Sequence, residues 1–133
     1  MENDRIFLVP GDLRTGKALV EIGDLLKKLK IELNLLYLSN AEEFWSYTKE
    51  FRKSIINLPF GDQGLVLRTV VIGKKYAIGW KFHYSFQQGK DFVKWMQTPG
   101  SFSSKTIARK HRIPIDNKPY LSRFPAPPVS EKQ

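Results

Sequence analysis

The loop Pro10-Gly11-Asp12-Leu13-Arg14-Thr15-Gly16-Lys17-Ala18 lies between a short apolar run, Ile6 to Val9, and a stretch of helical periodicity. A strand, a glycine-containing loop and a helix in that order aim backbone N–H groups and the positive end of a helix dipole at one point, which suits an anion. Gly11, four intervening residues, Gly16 and Lys17 approach the spacing of a nucleotide-binding phosphate loop. That chemistry needs Ser or Thr after the lysine to ligate magnesium, and Ala18 stands there. The neighbouring apolar run ends Leu38-Ser39-Asn40, without the carboxylate that would complete the metal site. Phosphoryl transfer is therefore not expected, and Gly11 and Gly16 are read as serving the turn and close helix–strand packing.

A second constellation collects polar residues just past the carboxyl ends of strands that should be neighbours. Ligands of open α/β sheets bind at that crevice. Gly11, Asp12, Ser39, Asn40, Glu42 and Arg68 are the candidate ligand-binding residues. Asp12 and Asn40 equally suit capping of the loop and of the following helix. Arg68 lies inside a run otherwise fit for burial, where a guanidinium needs a carboxylate or a ligand. Pairing with Asp12 or Glu42 would be structural, and reaching an anionic substrate would be functional.

Other chemistry finds little support. His83 and His111 have no partners at metal-ligand spacing, so no metal site is expected. No Gly-x-Ser-x-Gly turn marks a nucleophile. Trp80, Phe82, Tyr84 and Phe86 alternate on one strand face, as core residues do and as base-stacking platforms also do. Lys74, Lys75, Arg109, Lys110 and Arg112 are the candidate nucleic-acid contacts in the second case.

These residues need elements to hold them. Leu19, Ile22, Leu26 and Leu29 recur at helical steps and predict a helix over 16–30. Ile31 to Leu38 reads as a strand buried on both faces, as parallel strands are. Asn40 before Ala41-Glu42-Glu43 signals a helix start, with a second helix to about Lys53 burying Phe44, Trp45, Thr48 and Phe51. Ser54 to Leu58 is expected as a third strand, Gly61 to Gly64 as a turn, and Leu65 to Ile72 and Tyr76 to Phe86 as a hairpin about Gly73-Lys74-Lys75. A short helix follows over 88–97. The whole predicts a three-layer, Rossmann-like α/β unit over 1–98, with a largely parallel sheet and an antiparallel edge hairpin. Residues 99–133, with six prolines and the cluster Arg109-Lys110-His111-Arg112, are expected as a basic extended arm, partly disordered.

Composition bounds the function. The net charge is +9, and residues 61–133 carry all of the surplus, with thirteen Lys/Arg against four Asp/Glu. That asymmetry suits either a solvated basic tail or a polyanion surface. The absence of cysteine excludes disulfides and thiolate metal sites and favours a cytoplasmic location. No apolar run approaches the roughly 20 residues needed to span a bilayer, so no membrane association is expected.

The runs Ile6 to Leu13, Leu36-Tyr37-Leu38-Ser39-Asn40-Ala41-Glu42-Glu43-Phe44 and Leu65 to Thr69 resemble segments of a poorly characterised group of bacterial hypothetical proteins. Those proteins are longer and resemble Rossmann-like, S-adenosylmethionine-dependent methyltransferases. The resemblance covers about 6–95 and implies a Rossmann-like sheet, methyltransferase ancestry and S-adenosylmethionine as the cofactor of any such activity. The glycine-rich cofactor loop of that group has no counterpart in this sequence. The chain is then either the downstream part of a larger protein or a shortened relative that has lost methyl transfer. The expected function is binding of a small polar or anionic ligand at the strand ends. The alternatives are a non-enzymatic nucleic-acid-binding module using the basic second half and an interaction module docking through its C-terminal arm.

Overall fold

The computed structural model describes residues 6–70 and 83–128. Helix α1, Lys17–Lys28, begins at Gly16, whose φ of 69° is left-handed. A Cβ there would lie 2.7 Å from the Glu50 carbonyl oxygen and 2.9 Å from Ser54 Cβ. Glycine is thus required both by the backbone and by the close approach of α1 to the next helix, a helix–helix contact where a helix–strand one was expected. Ile6 to Val9 form no strand: all four are exposed, and the run leads into Pro10, which has no N–H to give a ladder.

Strand β1, Leu33–Ser39, is followed by a single 3₁₀ turn, Ala41–Phe44, and then helix α2, Lys49–Asn57. The continuous helix expected from Ala41 is broken because Thr48 takes the cap: its Oγ1 accepts from the Phe51 N–H at 3.1 Å and donates to the Arg14 carbonyl at 2.7 Å. Phe44, expected inside, is exposed. Ser54 to Leu58 is the end of α2 and its cap rather than a strand. Phe51, Ser54, Ile55 and Leu58 are all buried, a spacing of three, four and seven that belongs to a helix face.

Strand β2, Phe60–Val70, absorbs the expected Gly61–Gly64 turn as a bulge. Leu33 pairs with Phe60 and Leu35 with Leu65, so three extra residues of β2 are accommodated there. Strand β3, His83–Gln88, pairs antiparallel with β2, and α3, Gly89–Gln97, follows directly. The Gly73-Lys74-Lys75 turn, with Trp80 and Phe82, lies outside the described residues.

The segment expected as an extended arm contains helix α4, Ser104–His111, and strands β4, Ile113–Ile115, and β5, Lys118–Arg123. Ser103 caps α4 by accepting from Thr106 N–H. Strand β5 pairs parallel with β3 and antiparallel with β4. Phe102, Ile107, Ala108 and Phe124 share one buried cluster with Phe51, Val66 and Phe92.

The five-stranded sheet has the order β1-β2-β3-β5-β4 and is mixed, with β1–β2 and β3–β5 parallel and the other two pairs antiparallel. The antiparallel pair β2–β3 is therefore central rather than at an edge. One face, carrying Leu38, Val66, Arg68, Ser85 and Gln87, is covered by the helical layer. The other leaves Leu35, Tyr37 and Tyr84 about half exposed. The described residues thus form two layers where three were expected. This explains why β1 is not buried on both faces: it is an edge strand with helices on one side only. Tyr47 anchors the core by stacking on Phe51 at 5.0 Å and meeting Phe92 and Phe102 edge-on at 6.0 and 5.7 Å.

Candidate functional site

Strands β1 and β2 run parallel, so their carboxyl ends lie together, and β3 begins beside them. A recess of about 260 Å³ opens there, lined by Tyr37, Ser39 and Asn40 from the end of β1, Thr69 from β2 and Tyr84 from β3. Alternation decides this membership. Tyr37 and Ser39 share a face, Thr69 pairs with Tyr84 across the ladder, and all four point away from the helices. Ser39 Oγ lies 3.3 Å from Thr69 Oγ1. Among the described residues the lining offers hydroxyls, one carboxamide and two tyrosine rings, with no charged side chain.

Ser39 has a φ of 51°, left-handed and unusual for a residue that is not glycine. Such strain persists only where surrounding contacts over-determine it, and it concentrates at functional sites. Here the over-determining contact is beneath the sheet. Asn40 leads into the 3₁₀ turn, and Glu42 of that turn reaches back through its Oε1 to accept from Arg68 Nε. Both side chains are only 1% exposed. Glu42 Oε2 accepts from the Tyr47 hydroxyl at 2.7 Å, and the Glu42 carbonyl accepts from Ser104 at 3.3 Å. Arg68 lies over the rings of Phe92 and Phe124, at 4.5 and 5.2 Å. Burial, then the neighbouring Glu42 charge, pushes the Tyr47 phenol well above its usual range. The pair clamps the loop after β1 onto β2 and so fixes the rim of the recess.

Of the six candidate ligand residues, Ser39 and Asn40 therefore line the recess. Glu42 and Arg68 face the other side of the sheet and are engaged with each other, the structural pairing rather than the substrate contact. Gly11 and Asp12 lie elsewhere, on the exposed loop before α1. A Cβ at Gly11 would meet Ala18 Cβ at 2.5 Å, so this glycine serves packing. Asp12 folds back on Arg14 through a hydrogen bond to its backbone N–H at 2.9 Å and a bidentate contact to its guanidinium, which holds the carboxyl below its ordinary range. Tyr37 and Thr69 are not among the expected contacts, and Tyr84 is expected only within the aromatic stripe, as core or as a base-stacking face. The alternation of Tyr37 with Ser39 was the available signal.

The candidate nucleic-acid residues are spread. Arg109 and Lys110 are exposed in the last turn of α4, in the helical layer, and Arg112 is half-buried just after it. Tyr84 is on the opposite face of the sheet. Lys74 and Lys75 lie outside the described residues. Among the described residues no cluster of three or more His, Asp or Glu could hold a metal ion, and no helix is long and apolar enough to cross a membrane.

A family described as a domain of unknown function, DUF7790, matches residues 1–123. The chain belongs to that family. The match takes in every described element, the recess and the buried Glu42–Arg68 pair alike. No protein with a curated description matches the chain.

Proposed function

We propose that this member of the DUF7790 family is a binding module for a small, uncharged polar molecule with a flat face, a nucleoside or sugar ring in chemical class. The recess at the carboxyl ends of β1 and β2 carries the reading. Its hydroxyls and carboxamide can exchange hydrogen bonds with ring hydroxyls or base edges, and the half-exposed Tyr37 and Tyr84 rings can cover a flat face. At about 260 Å³ it lies just under the roughly 300–1,000 Å³ of small-molecule sites, which suits one ring system. The uncharged lining among the described residues favours a neutral ligand over the anionic one that the sequence left open. Adenosine is the neutral ring compound to try first, and the resemblance to methyltransferase-like proteins makes S-adenosylmethionine, which adds charged groups to the same nucleoside, the comparison.

Calorimetry and backbone NMR with adenosine, S-adenosylmethionine, S-adenosylhomocysteine and a set of monosaccharides test this. Saturable shifts confined to Ser39, Asn40, Thr69 and Tyr84, lost in Tyr84→Ala, are expected. A folded protein in which no compound moves those resonances overturns the proposal.

A second reading uses the same face. Arg123 is exposed and pairs across the ladder with Phe86, so the open sheet surface holds Tyr37, Tyr84 and a cation together. Successive bases of a single strand could stack there. Oligonucleotide binding that weakens steeply with salt and falls in Arg123→Gln would support it. Deleting residues 101–133 would not be a clean test, because it removes β4, β5 and the buried Phe124.

A further inference from the structure

A second cavity lies on a different part of the sheet, where β3 begins and the β4–β5 hairpin turns. It encloses about 190 Å³ and is lined by His83, Arg112, Pro114, Ile115, Lys118, Pro119 and Leu121. Four of these give apolar walls and the remaining three carry nitrogen. Among the described residues no carboxylate lines it; Asp116, in the turn between β4 and β5, is outside the lining.

His83 is the informative residue. Only 3% of it is exposed, and neither ring nitrogen makes a hydrogen bond of good geometry. A buried polar atom left unpaired is costly, and native proteins rarely keep one without a reason. Here the ring borders a cavity in which a ligand oxygen could supply the missing bond. Arg112 and Lys118 bring positive charge to the same walls, and a guanidinium with an ammonium is a donor set suited to a phosphate oxygen cluster. The turn that brings Lys118 round is fixed by Asn117, left-handed at a φ of 57°.

We propose that this cavity is a binding site for a phosphate monoester, its phosphate held by His83, Arg112 and Lys118 and its organic group against Pro114, Ile115 and Leu121. The site is independent of the recess at the ends of β1 and β2. Burial, and then the Arg112 charge, lower the pKa of His83 from its ordinary value, with the Pro119 backbone opposing. A bound dianion reverses the balance and draws a proton onto the ring.

The full chain contains two histidines, so the experiment carries its own control. Imidazole resonances are followed by NMR at neutral pH while inorganic phosphate, and separately glycerol phosphate, is added, with chloride at matched ionic strength as the reference. His83 should move saturably toward the protonated form with both phosphates, more tightly with the ester, while His111, against the Trp95 ring at 5.2 Å, stays in place. Lys118→Glu, at an exposed position that leaves the core intact, should weaken binding by about tenfold, the effect of making one nearby charge repulsive. Three results overturn the site: a His83 signal unmoved by tens of millimolar phosphate, an equal response to chloride, or unchanged affinity in Lys118→Glu. An ester no tighter than inorganic phosphate overturns the assignment of the apolar wall.

Discussion

The buried Glu42–Arg68 pair makes the sharpest prediction about what holds the recess in place. Glu42→Gln keeps the shape of the side chain and its contact with Tyr47, but leaves the Arg68 guanidinium charged, 1% exposed and without a counter-ion. Nη1 and Nη2 of Arg68 already lack partners, so no other acceptor can take over. Removing one partner of a buried pair costs about 3–5 kcal/mol. The Phe92 and Phe124 rings lie over the cation in both proteins and so cancel from the difference, which is taken at the lower end of that range. A net loss of about 3 kcal/mol is a large part of the roughly 5–15 kcal/mol that stabilises a domain, and lowers Tm by on the order of 10 °C. The triple change Glu42→Leu, Tyr47→Phe and Arg68→Met removes the charges and the hydroxyl together, and should come within about 1 kcal/mol of the parent. Urea denaturation followed by circular dichroism measures all three proteins. A Glu42→Gln variant within about 1 kcal/mol of the parent would refute the reasoning, because it would mean that Arg68 is hydrated in solution.

Two further outcomes can be read on the same instrument. Arg52 closes the end of α3 by donating to the carbonyls of Met96 at 2.8 Å, Gly100 at 3.0 Å and Thr98, while lying 4.7 Å over Phe102. Arg52→Ala should cost about 2 kcal/mol, and Arg52→Lys should recover only part of it, since one ammonium cannot satisfy a fork of carbonyls. The Tyr47 phenol has a folded-state pKa raised above its ordinary value of 10.0, so its contribution is complete below that pH and is lost as pH rises through and beyond it. Stability measured above pH 10 should fall with a slope approaching about 1.4 kcal/mol per pH unit from this group, and Tyr47→Phe should remove that component.

The sequence was legible wherever a signal was local and repeated. The face of α1, the short α3, the antiparallel β2–β3 pair and the polar end of β1 all announce themselves within a few residues. Ile6 to Val9 and Ser54 to Leu58 failed for a common reason: a short apolar run is the same string whether it pairs, caps a helix or stays exposed. Thr48 shows the competition directly, because Asn40 and Thr48 are both acceptable helix caps and only tertiary contact, the Thr48 bond to the Arg14 carbonyl, selects the second. The segment after Pro99 hid its structure differently. Strand β5 exists through pairing with β3 and β4, and its pairs with β3 join residues nearly forty positions apart. No local periodicity records such a contact.

The same distinction bears on the charge. The surplus of thirteen Lys/Arg over four Asp/Glu in residues 61–133 invited one basic surface. Folding divides it among unlike settings. Arg68 is buried in an ion pair, Arg112 and Lys118 line a cavity, Arg109 and Lys110 lie exposed on α4, and Arg123 lies on the open sheet face. A polyanion binding through one surface would meet only part of this charge, so the salt dependence of its affinity should report few phosphate contacts. Among the described residues the two small cavities differ in lining, one hydroxyl-rich and one cationic. A ligand carrying both a ring and a phosphate is not expected to bridge them: Tyr84 and His83 are successive residues of β3, and strand alternation sends their side chains to opposite sides of the sheet.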